Sequence, residues 1–385
     1  MEDARTSRAL ELMNRFADRT GLTSAVTPQR YLWTDAFAVC NFLGLAHATG
    51  DAAWLRLALK LVDQVHRVLG RHRPDDPRTG WISGLSEQQG SAHPTAGGLR
   101  IGKPLPERAA GERYDERLEW DRDGQYFHYL TRWMHALDQV SRSTGDPKYN
   151  RWARELAQVA QRAFTYGAAD EERMVWKLSI DLKRALVPSM GQHDPLDGFV
   201  TCSQLQASAS SLGQPLEPPL PTGKFFQMLD PEGLVSADPL SLGSLLADAC
   251  RLAQLRQSPE LIDALLEAAA VGLRLYAAQA NPAAPAEGRL GFRELGLAIG
   301  LAGLPLFEDQ VAAGRLEAAT VAQLTRHVGL RDALESYWLL PEHRRVASWL
   351  DYVDINDVML ATSLLPEGFL HLPEPEREEW AVPGP

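Results

Sequence analysis

The helical segments of this chain alternate between two kinds, and this alternation restricts the possible folds more than any other feature of the sequence. Segments such as 34–48 are apolar on almost every side, whereas segments such as 52–69 carry charge along one face. A helix that is apolar all round must be buried on every side, and an amphipathic helix keeps one face in water. Few stretches show the period of two that marks strands. The pattern predicts an all-α protein with inner, buried helices and outer, partly exposed ones.

The number of these segments predicts how the helices are arranged. The apolar helices are expected at 34–48, 123–143, 197–210, 240–255, 292–303 and 355–365, and the amphipathic ones at 5–19, 52–69, 148–165, 259–279 and 313–327. Such pairs predict an (α/α)6 toroid, in which an outer ring of helices surrounds an inner ring. One outer helix lacks a clear candidate, because 212–224 is too rich in proline to form a regular helix.

We expect a single toroid domain over residues 1–370 and a surface tail over residues 371–385. The alternative architecture is an open α-solenoid, whose repeats would be more nearly equal in length. Long inserts at 71–118, 170–196 and 329–354 interrupt the helix pairs. Long loops of a compact domain are usually functional. Each insert ends just before an apolar helix, so all of them are expected at one rim of the ring.

A cluster of aromatic and acidic residues stands before several of the apolar helices. The clusters read YLWTDAF at 31–37, EWDRDGQYFHY at 119–129 and WLDYVDIND at 349–357. The first two lead into helices that end in the turn sequence Thr-Gly-Asp. Charge at the mouth of a core helix has no use in packing, so the repeated clusters predict a shared pocket.

The overall composition excludes several classes of protein. The net charge of −11 disfavours nucleic acid as a partner, because nucleic acid binding requires clustered lysine and arginine side chains. No uncharged apolar stretch is long enough to span a bilayer, and the charged N-terminus has no signal core. We therefore expect a cytoplasmic protein with no membrane partner. Cys40, Cys202 and Cys250 are too far apart for a zinc motif, so we expect no metal and no cofactor.

The strongest candidate site residues lie in the second cluster. A helix that begins near Asp123 would direct positions 125, 128 and 129 to one side. The candidates of this cluster are Trp120, Asp121, Asp123, Gln125, Tyr126, His128 and Tyr129. One of the acids is alternatively an N-cap of the helix. Capping requires a single acid, however, whereas this segment carries three.

Three further helix mouths add candidates of the same chemical kinds. These are His193, Asp194 and Asp197 in the segment HDPLDG, Tyr352, Asp354 and Asp357 in the last cluster, and Trp33 and Asp35 in the first. In the segment HDPLDG and in the last cluster, one aspartate is alternatively a helix cap. Burial beside aromatic rings would raise the pKa of a carboxyl group such as that of Asp35.

Aromatic rings next to paired acids are typical of sites that bind sugars. Two carboxyl groups on either side of a glycosidic bond act as general acid and general base. We therefore predict a glycoside hydrolase that acts on a short oligosaccharide or glycoside as its small-molecule partner. Asp123 or Asp121 would be the acid, and Asp357, Asp197 or Asp35 the base. The sugar platform would be Trp33, Trp120, Tyr126 and Tyr352, with Gln125, His128 and His193 bonding the hydroxyl groups.

The alternating helices over residues 5–365 and the segment DGQYFHYLTRWMHALDQVSRSTGDPKY resemble the six-hairpin glycosidase-like group. These (α/α)6 toroids include unsaturated glucuronyl hydrolases, rhamnogalacturonyl hydrolases and, in a related ring, sugar 2-epimerases. The segment is similar to the stretch of the unsaturated uronyl hydrolases in which an acidic residue begins an inner helix. The resemblance implies that Asp123 corresponds to the second catalytic aspartate of that family and Asp35, more loosely, to the first.

Two other functions fit the same residues. A sugar epimerase or isomerase would move protons with His128 and His193, because the ordinary pKa of histidine suits proton transfer near neutral pH. A non-catalytic binding or scaffold protein would use the mouth of the toroid without turning a ligand over. Isomerisation without bond cleavage would identify the first function, and binding without any product the second.

Overall fold

The computed structural model describes residues 2–168, 171–189, 191–281 and 284–373. Most of the predicted tail 371–385 therefore lies outside the described residues. The chain divides into two compact units. Unit 1 comprises residues 2–16, Gly44–Asp51 and Asp230–Leu372, and unit 2 comprises Ala17–Leu43, Ala52–Leu229 and Pro373. The single domain over residues 1–370 stays a prediction.

Helices form most of the described structure, as the alternating pattern predicts. In chain order they are α1 Glu2–Arg19, α2 Leu32–Thr49, α3 Ala52–Leu69, α4 Glu87–Ala92, α5 Glu116–Asp121, α6 Phe127–Thr144, α7 Pro147–Phe164, α8 Asp194–Ser211, α9 Thr222–Gln227, α10 Pro239–Leu255, α11 Pro259–Gln279, α12 Gly291–Leu301, α13 Leu304–Ala312, α14 Ala318–Thr325, α15 Val328–Leu339, α16 Ala347–Leu350, α17 Val353–Leu364 and α18 Glu367–Leu370. Short 3₁₀ turns occur at Glu232–Leu234, Ala286–Gly288 and Pro341–Arg344.

The strands are short and all lie in unit 2. They are β1 Gln125–Tyr126, β2 Thr165–Tyr166, β3 Arg173–Met174, β4 Lys177–Leu178 and β5 Ala185–Val187. Strand β4 pairs antiparallel with both β1 and β5, and β2 pairs with β3. None of these strands was predicted, because two or three residues are too few to show a period of two.

Several predicted helices are confirmed to within a few residues, and three predictions are wrong. The helix expected over 123–143 begins four residues later, at Phe127. The helix expected over 313–327 starts only at Ala318, because Gly314 takes a left-handed φ of +69° that ends α13. The insert expected over 329–354 contains a further helix, α15.

In unit 2, α6 packs against α3, α7 and α8. A fully buried carboxylate, that of Asp138, joins three of these helices at their centre. It accepts hydrogen bonds from Arg142 (3.0 Å), Asn150 (2.8 Å), Gln204 (2.8 Å) and Ser208 (2.7 Å). Because a buried charge is stable only when it is paired and hydrogen-bonded, this network fixes the position of α8 beside α6.

The first two long inserts lie together in unit 2, as their positions before apolar helices predict. The backbone N–H of Ile180 donates to Glu107 (2.5 Å). The guanidinium of Arg108 donates to the carbonyl of Leu186 (3.0 Å), and that of Arg184 donates to the carbonyl of Arg108 (2.8 Å). The described parts of 71–118 and 170–196 therefore form one bonded layer next to the start of α6.

In unit 1, α12 packs against α10, α15 and α17. The backbones of α10 and α12 touch, because a Cβ atom on Gly243 would lie 1.9 Å from the carbonyl oxygen of Gly296. In the same way a Cβ atom on Gly300 would lie 2.6 Å from the carbonyl oxygen of Gly243. Real Cβ atoms do not approach that closely, so these glycines allow the two helices to meet.

One stretch, Gly291–Ala312, has the length and apolar composition that a membrane span requires. It consists of α12 and α13, and about half of it (56%) is buried within the protein. A buried core helix passes the same test, so this stretch is weak evidence for a membrane.

The cysteines are buried and form no disulfide bond. Burial raises the pKa of the Cys202 thiol to about 12.

Candidate functional site

The segment that leads into α6 is held by strand pairing and does not belong to the helix. Gly124 takes a φ of +153°, which a side chain would strain, and β1 then pairs with β4. Gln125 and Tyr126 therefore lie on an extended strand, and only His128 and Tyr129 lie in the first turn of α6. The predicted common helical face of positions 125, 128 and 129 is wrong for this reason.

Asp123 is fully buried and surrounded by groups that stabilise its charge. Its carboxylate contacts the guanidinium groups of Arg100 (2.5 Å) and Arg73 (3.3 Å). It also accepts the backbone N–H groups of Gly102 (3.0 Å) and Gly124 (3.0 Å). A carboxylate with this many donors is a structural anchor for the insert, so the environment argues against Asp123 as a proton donor to a substrate.

Gln125 is also fully buried, and its side chain bonds to the inserts. Its side-chain oxygen accepts from the N–H of Leu99 (2.8 Å), and its amide donates to the carbonyls of Gly97 (3.0 Å) and Ile180 (2.7 Å). Gly98 lies so close that an added Cβ atom would be 2.0 Å from the Gln125 oxygen. Gln125 therefore clamps the two inserts together and has no amide group left for a sugar.

The other predicted side chains at the start of α6 form an aromatic cluster. The ring of Trp176 lies 5.2 Å from that of Tyr126 and stacks at 5.9 Å on that of His128. The ring of Tyr129 lies 4.8 Å from His128. Trp120 is about half exposed (51%) and contacts Trp176 edge-on at 5.6 Å. The structure thus brings together several of the predicted sugar-platform and hydroxyl-binding residues.

The aromatic cluster extends to the mouth of α2 through two tyrosine hydroxyl groups. The hydroxyl oxygens of Tyr31 and Tyr129 are 2.6 Å apart, which is hydrogen-bonding distance. The ammonium group of Lys103 lies over the Tyr31 ring, 5.4 Å from its centre. Burial raises the pKa of Tyr129 well above its usual value, so this phenol stays protonated.

The protonation state of His128 follows from its neighbours. The indole N–H of Trp176 donates to Nδ1 of His128 over 3.2 Å, so Nδ1 carries no proton. Burial, together with the nearby charges of Arg132 and His193, lowers the pKa of His128 to about 3. At neutral pH the ring is therefore uncharged, and its proton is on Nε2. His128 can donate a hydrogen bond from that atom.

Asp194 is a buried carboxyl group that has little support for its charge. It is buried at the first position of α8, where its Oδ1 atom lies 3.8 Å from Nδ1 of His128. Its Oδ2 atom has no hydrogen-bond partner among the described residues. Burial raises the pKa of Asp194 to about 7, against a small opposing effect of the backbone N–H of Gly191. Such a group exchanges a proton readily near neutral pH.

Two other buried aspartates are paired with arginines. Asp197 lies 3.0 Å from the guanidinium of Arg132. Asp35 lies 3.4 Å from Arg30 and accepts the backbone N–H of Tyr31 (2.9 Å). A positive partner stabilises the ionised form of a carboxyl group. Both aspartates therefore fit the role of a fixed negative charge better than that of a proton donor.

The predicted alternative, in which Asp121, Asp123 or Asp197 merely caps the helix that follows it, is wrong for α6 and α8. The residues at the cap positions are Tyr126 and His193, and neither makes a side-chain capping bond. His193 is half-buried and lies close enough to His128 to affect its pKa. Asp121, by contrast, is exposed at the end of α5.

The other predicted site residues have local contacts of their own. Trp33 is buried against Phe37, with ring centres 4.7 Å apart. In unit 1, Tyr352 is exposed and contacts Phe292, Asp354 lies in the first turn of α17, and Asp357 is buried 3.8 Å from Arg15.

Sequence reasoning missed Trp176 and Arg132 as site residues. Trp176 is half-buried and bonds to His128. Arg132 stands four residues after His128, so a helix starting at Phe127 places both on one side, which is the signal that could have found it. Among the described residues no group of three or more His, Cys, Asp or Glu side chains is arranged to hold a metal ion.

No protein-family model matches this chain, and no curated protein is significantly similar to it. Solved structures do match. A GH76 α-mannanase from Bacteroides thetaiotaomicron is 9% identical, with a TM-score of 0.55 over 95% of this chain and 96% of that one. A GH76 α-1,6-mannanase from Salegentibacter is 11% identical, with a TM-score of 0.53 over 94% and 98%. A D-mannose isomerase is 10% identical, with a TM-score of 0.55 over 95% and 97%.

At these identities the likeness shows the fold alone. The chain has the (α/α)6 toroid fold of these neighbours, so the predicted fold class is confirmed. Its structural neighbours include both glycoside hydrolases and a sugar isomerase. A fold of this kind hosts more than one reaction, so the activity has to be argued from the side chains.

Proposed function

We propose that this chain is a carbohydrate-active enzyme that interconverts sugars by proton transfer, as an isomerase or epimerase. The reaction would take place in unit 2, at the aromatic cluster next to Asp194. The structural likeness to sugar-transforming enzymes supports the substrate class, and the side chains of the cluster support the type of reaction.

The observation that carries the proposal is the state of Asp194. Its pKa of about 7 allows both the protonated and the ionised form near neutral pH, which is what a group that takes and returns a proton requires. The other predicted acids of unit 2 are either exposed, as Asp121 is, or paired with arginine, as Asp123 and Asp197 are. Proton transfer by one carboxyl group therefore fits the site better than hydrolysis by two free ones.

His128 supplies the second part of the chemistry as a neutral donor. Its Nε2 proton can bond the carbonyl oxygen of an open-chain sugar and stabilise the negative charge that develops there. Because its pKa is lowered to about 3, the ring does not compete with Asp194 as a base near neutral pH. This role differs from the proton-shuttle role expected for His128 from the sequence.

The proposed reaction balances without any further reactant. The Asp194 carboxylate removes the proton from the carbon next to the sugar carbonyl, and the electron pair moves to the carbonyl oxygen, which His128 stabilises. The resulting enediolate then takes the proton back from Asp194. Return to the same carbon on its other face restores the carbonyl group and gives an epimer. Return to the neighbouring carbon, together with transfer of the hydroxyl proton to the former carbonyl oxygen, moves the carbonyl group and gives an isomer.

The aromatic cluster supplies the surface on which the sugar would lie. The half-exposed ring of Trp120 and the half-buried ring of Trp176 lie 5.6 Å apart, and the buried ring of Tyr126 lies 5.2 Å from Trp176. Large aromatic faces bury apolar area at little cost in conformational entropy, and the hydroxyl group of Tyr129 offers a polar contact beside them.

The test is NMR of mannose, glucose and fructose incubated with the protein in D2O. Proton transfer predicts deuterium at the carbon next to the carbonyl group together with a new sugar. Asp194→Asn should abolish both signals, whereas Asp121→Asn, which changes an exposed carboxyl group, should retain them. Binding of a sugar without exchange or product would contradict the proposal and favour the non-catalytic alternative.

Glycoside hydrolysis is the second candidate, because Asp194 and Asp197 both stand in the first turn of α8. An inactive variant of the Salegentibacter enzyme, in which two consecutive aspartates are replaced, has been seen with α-1,6-mannotetrose. The consecutive aspartates of this chain, Asp75 and Asp76, are instead bonded to Arg73 (2.7 Å) and Arg78 (2.7 Å) of their own loop. Cleavage of manno-oligosaccharides that is lost in both Asp194→Asn and Asp197→Asn would favour hydrolysis over proton transfer.

A further inference from the structure

We propose that the site selects a sugar that carries an anionic group, a carboxylate or a phosphate, and that Lys103 supplies the opposite charge. The inference deepens the proposed function and rests on it. It is argued from the pairing of the lysines, the position of Lys103 and the hydroxyl groups beside it.

Lysine is rare in this chain, and nearly every lysine is already bonded. The lysines are Lys60, Lys103, Lys148, Lys177, Lys183 and Lys224. Four of them lie within 4 Å of a carboxylate, at Asp146, Glu119, Asp181 and Glu172, and Lys60 donates to the carbonyl of Leu22 (2.6 Å). Only Lys103 has an ammonium group that makes no ion pair or hydrogen bond with the described part of the chain.

The position of Lys103 is fixed by the anchored insert. Its carbonyl oxygen accepts a hydrogen bond from Arg73 (2.7 Å), and the preceding Gly102, at a left-handed φ of +94°, donates to Asp123 (3.0 Å). Asp123 thus also positions Lys103, because it holds the backbone that carries the unpaired ammonium group.

Contacts connect Lys103 to the proposed reaction centre. The ammonium group lies over Tyr31, whose hydroxyl bonds that of Tyr129, and Tyr129 contacts His128 beside Asp194. All of these groups lie in unit 2. The face of a tyrosine ring attracts a cation only weakly, by roughly 0.5–2 kcal/mol, and it leaves the hydrogens of the ammonium group free to bond an anion.

Because Lys103 is half-buried, a bound anion would stabilise its ammonium group. Burial is the main cause that lowers the pKa of Lys103, with Lys177 adding to it and Asp121 and Asp123 opposing. An anion that enters the site would replace the lost hydration of the ammonium group. Such a charge-assisted hydrogen bond is stronger than one between neutral groups.

The tyrosine pair offers a second donor to the same anion. In a hydrogen bond between two hydroxyl groups one proton lies between the two oxygens and the other points elsewhere. Burial raises the pKa of Tyr129 well above its usual value, so its phenol keeps its proton near neutral pH. An ammonium group and a phenol proton together suit the oxygens of a carboxylate or of a phosphate.

The experiment is calorimetric titration of the whole protein with glucose, glucuronate and glucose 6-phosphate. We expect at least one of the anionic sugars to bind about tenfold or more tightly than glucose, as one charge-assisted bond provides. Higher salt should weaken that preference. The two anionic sugars distinguish a carboxylate site from a phosphate site.

Three variants identify the residue. Lys103→Met should remove the preference for the anionic sugar, and Lys103→Arg should restore most of it. Lys183→Met, which removes an exposed lysine next to Asp181, should leave it unchanged. A preference that survives in Lys103→Met, or equal binding of all three sugars, would overturn the inference.

Failure of this inference and failure of the proposed function give different results. Exchange and conversion of neutral sugars without any preference for an anionic one would leave the proposed function intact and refute the role of Lys103. If none of the sugars binds or is converted, both proposals are overturned.

Discussion

Two buried aspartates next to the same aromatic cluster show opposite treatments of a carboxyl group. Asp123 stands before α6 and contacts two guanidinium groups and two backbone N–H groups. Asp194 begins α8 with one oxygen that has no hydrogen-bond partner among the described residues. Both are nearly or wholly inaccessible to solvent, at 0% and 2% exposure. Burial alone therefore does not decide whether an acid is structural or reactive.

The partners of each carboxyl group decide its role. Donors around Asp123 stabilise its charge, so it can hold a loop. Asp194 lacks comparable donors, and burial then disfavours its charged form. A sequence pattern that counts acids before apolar helices cannot separate these two cases, because the donors of Asp123 come from 73 and 100–102, far away in the chain.

The largest effect is expected for the structural member of the pair. Asp123→Asn removes the negative charge and leaves the buried Arg100 without a counter-ion, which typically costs about 3–5 kcal/mol, whereas Arg73 keeps its ion pair with Asp75. Urea unfolding should therefore show a large loss of stability. A variant that is as stable as the wild type would remove the contrast with Asp194.

A substitution of Asp194, the residue proposed to react, should have the opposite effect on stability. Since the folded pKa of Asp194 is raised to about 7, above its ordinary 3.8, Asp194 costs no stability below about pH 4. The cost grows as pH rises from about 4 to 7, because the unfolded chain releases its proton first. At pH 8 the cost is on the order of 4 kcal/mol at most. Asp194→Asn should therefore be inactive yet more stable than the wild type at pH 8, and equally stable near pH 4.

A stability difference between Asp194→Asn and the wild type that does not change with pH would contradict this interpretation. The measurement is urea unfolding of both proteins at pH 4, 6 and 8. Asp123→Asn provides the comparison, because its loss of stability should be present at each of these pH values.

A smaller effect is expected from the residue that sets the tautomer of His128. Trp176→Phe keeps an aromatic ring but loses the donor to Nδ1, and the loss of one hydrogen bond should lower kcat by about tenfold. Nitrogen NMR of the His128 ring should show that Nε2 no longer holds the proton exclusively. Trp152→Phe is the matched control, since its indole donates to the carbonyl of Ala92 (2.8 Å) outside the cluster. Equal losses of activity in both variants would refute the positioning role of Trp176.

The smallest effect is expected for Asp121. Its carboxyl group is exposed at the end of α5, so Asp121→Asn should change the free energy of unfolding by less than about 0.5 kcal/mol. Sugar conversion should also be unchanged. A large loss of activity in this variant would restore the acid role that the sequence assigned to Asp121.

The fold could be predicted largely from the sequence, because burial on all sides leaves a clear signal. The segment 52–69 is a helix with the expected bounds, and so is 259–279. The (α/α)6 class follows from counting such segments, and a wrong boundary at one of them does not alter the count.

The site was harder to predict, because its geometry depends on such a boundary. Starting α6 at Phe127 instead of Asp123 moves Gln125 from a helix to a strand and directs it to the insert. The strand is formed by pairing with β4, which lies more than fifty residues further along the chain. The sequence does contain Asp194 and His128 as candidates, but it does not show that Asp197 forms an ion pair with Arg132.

The contact between α10 and α12 has a consequence for how this protein can change over evolutionary time. A side chain larger than hydrogen at Gly243 would collide with the backbone at Gly296, and that backbone cannot move aside as a flexible side chain can. A single substitution at Gly243 is therefore not tolerated, and no second substitution in a neighbouring side chain can compensate for it. We expect descendants of this chain to exchange the residues around Asp194, and with them the substrate, long before they exchange these glycines.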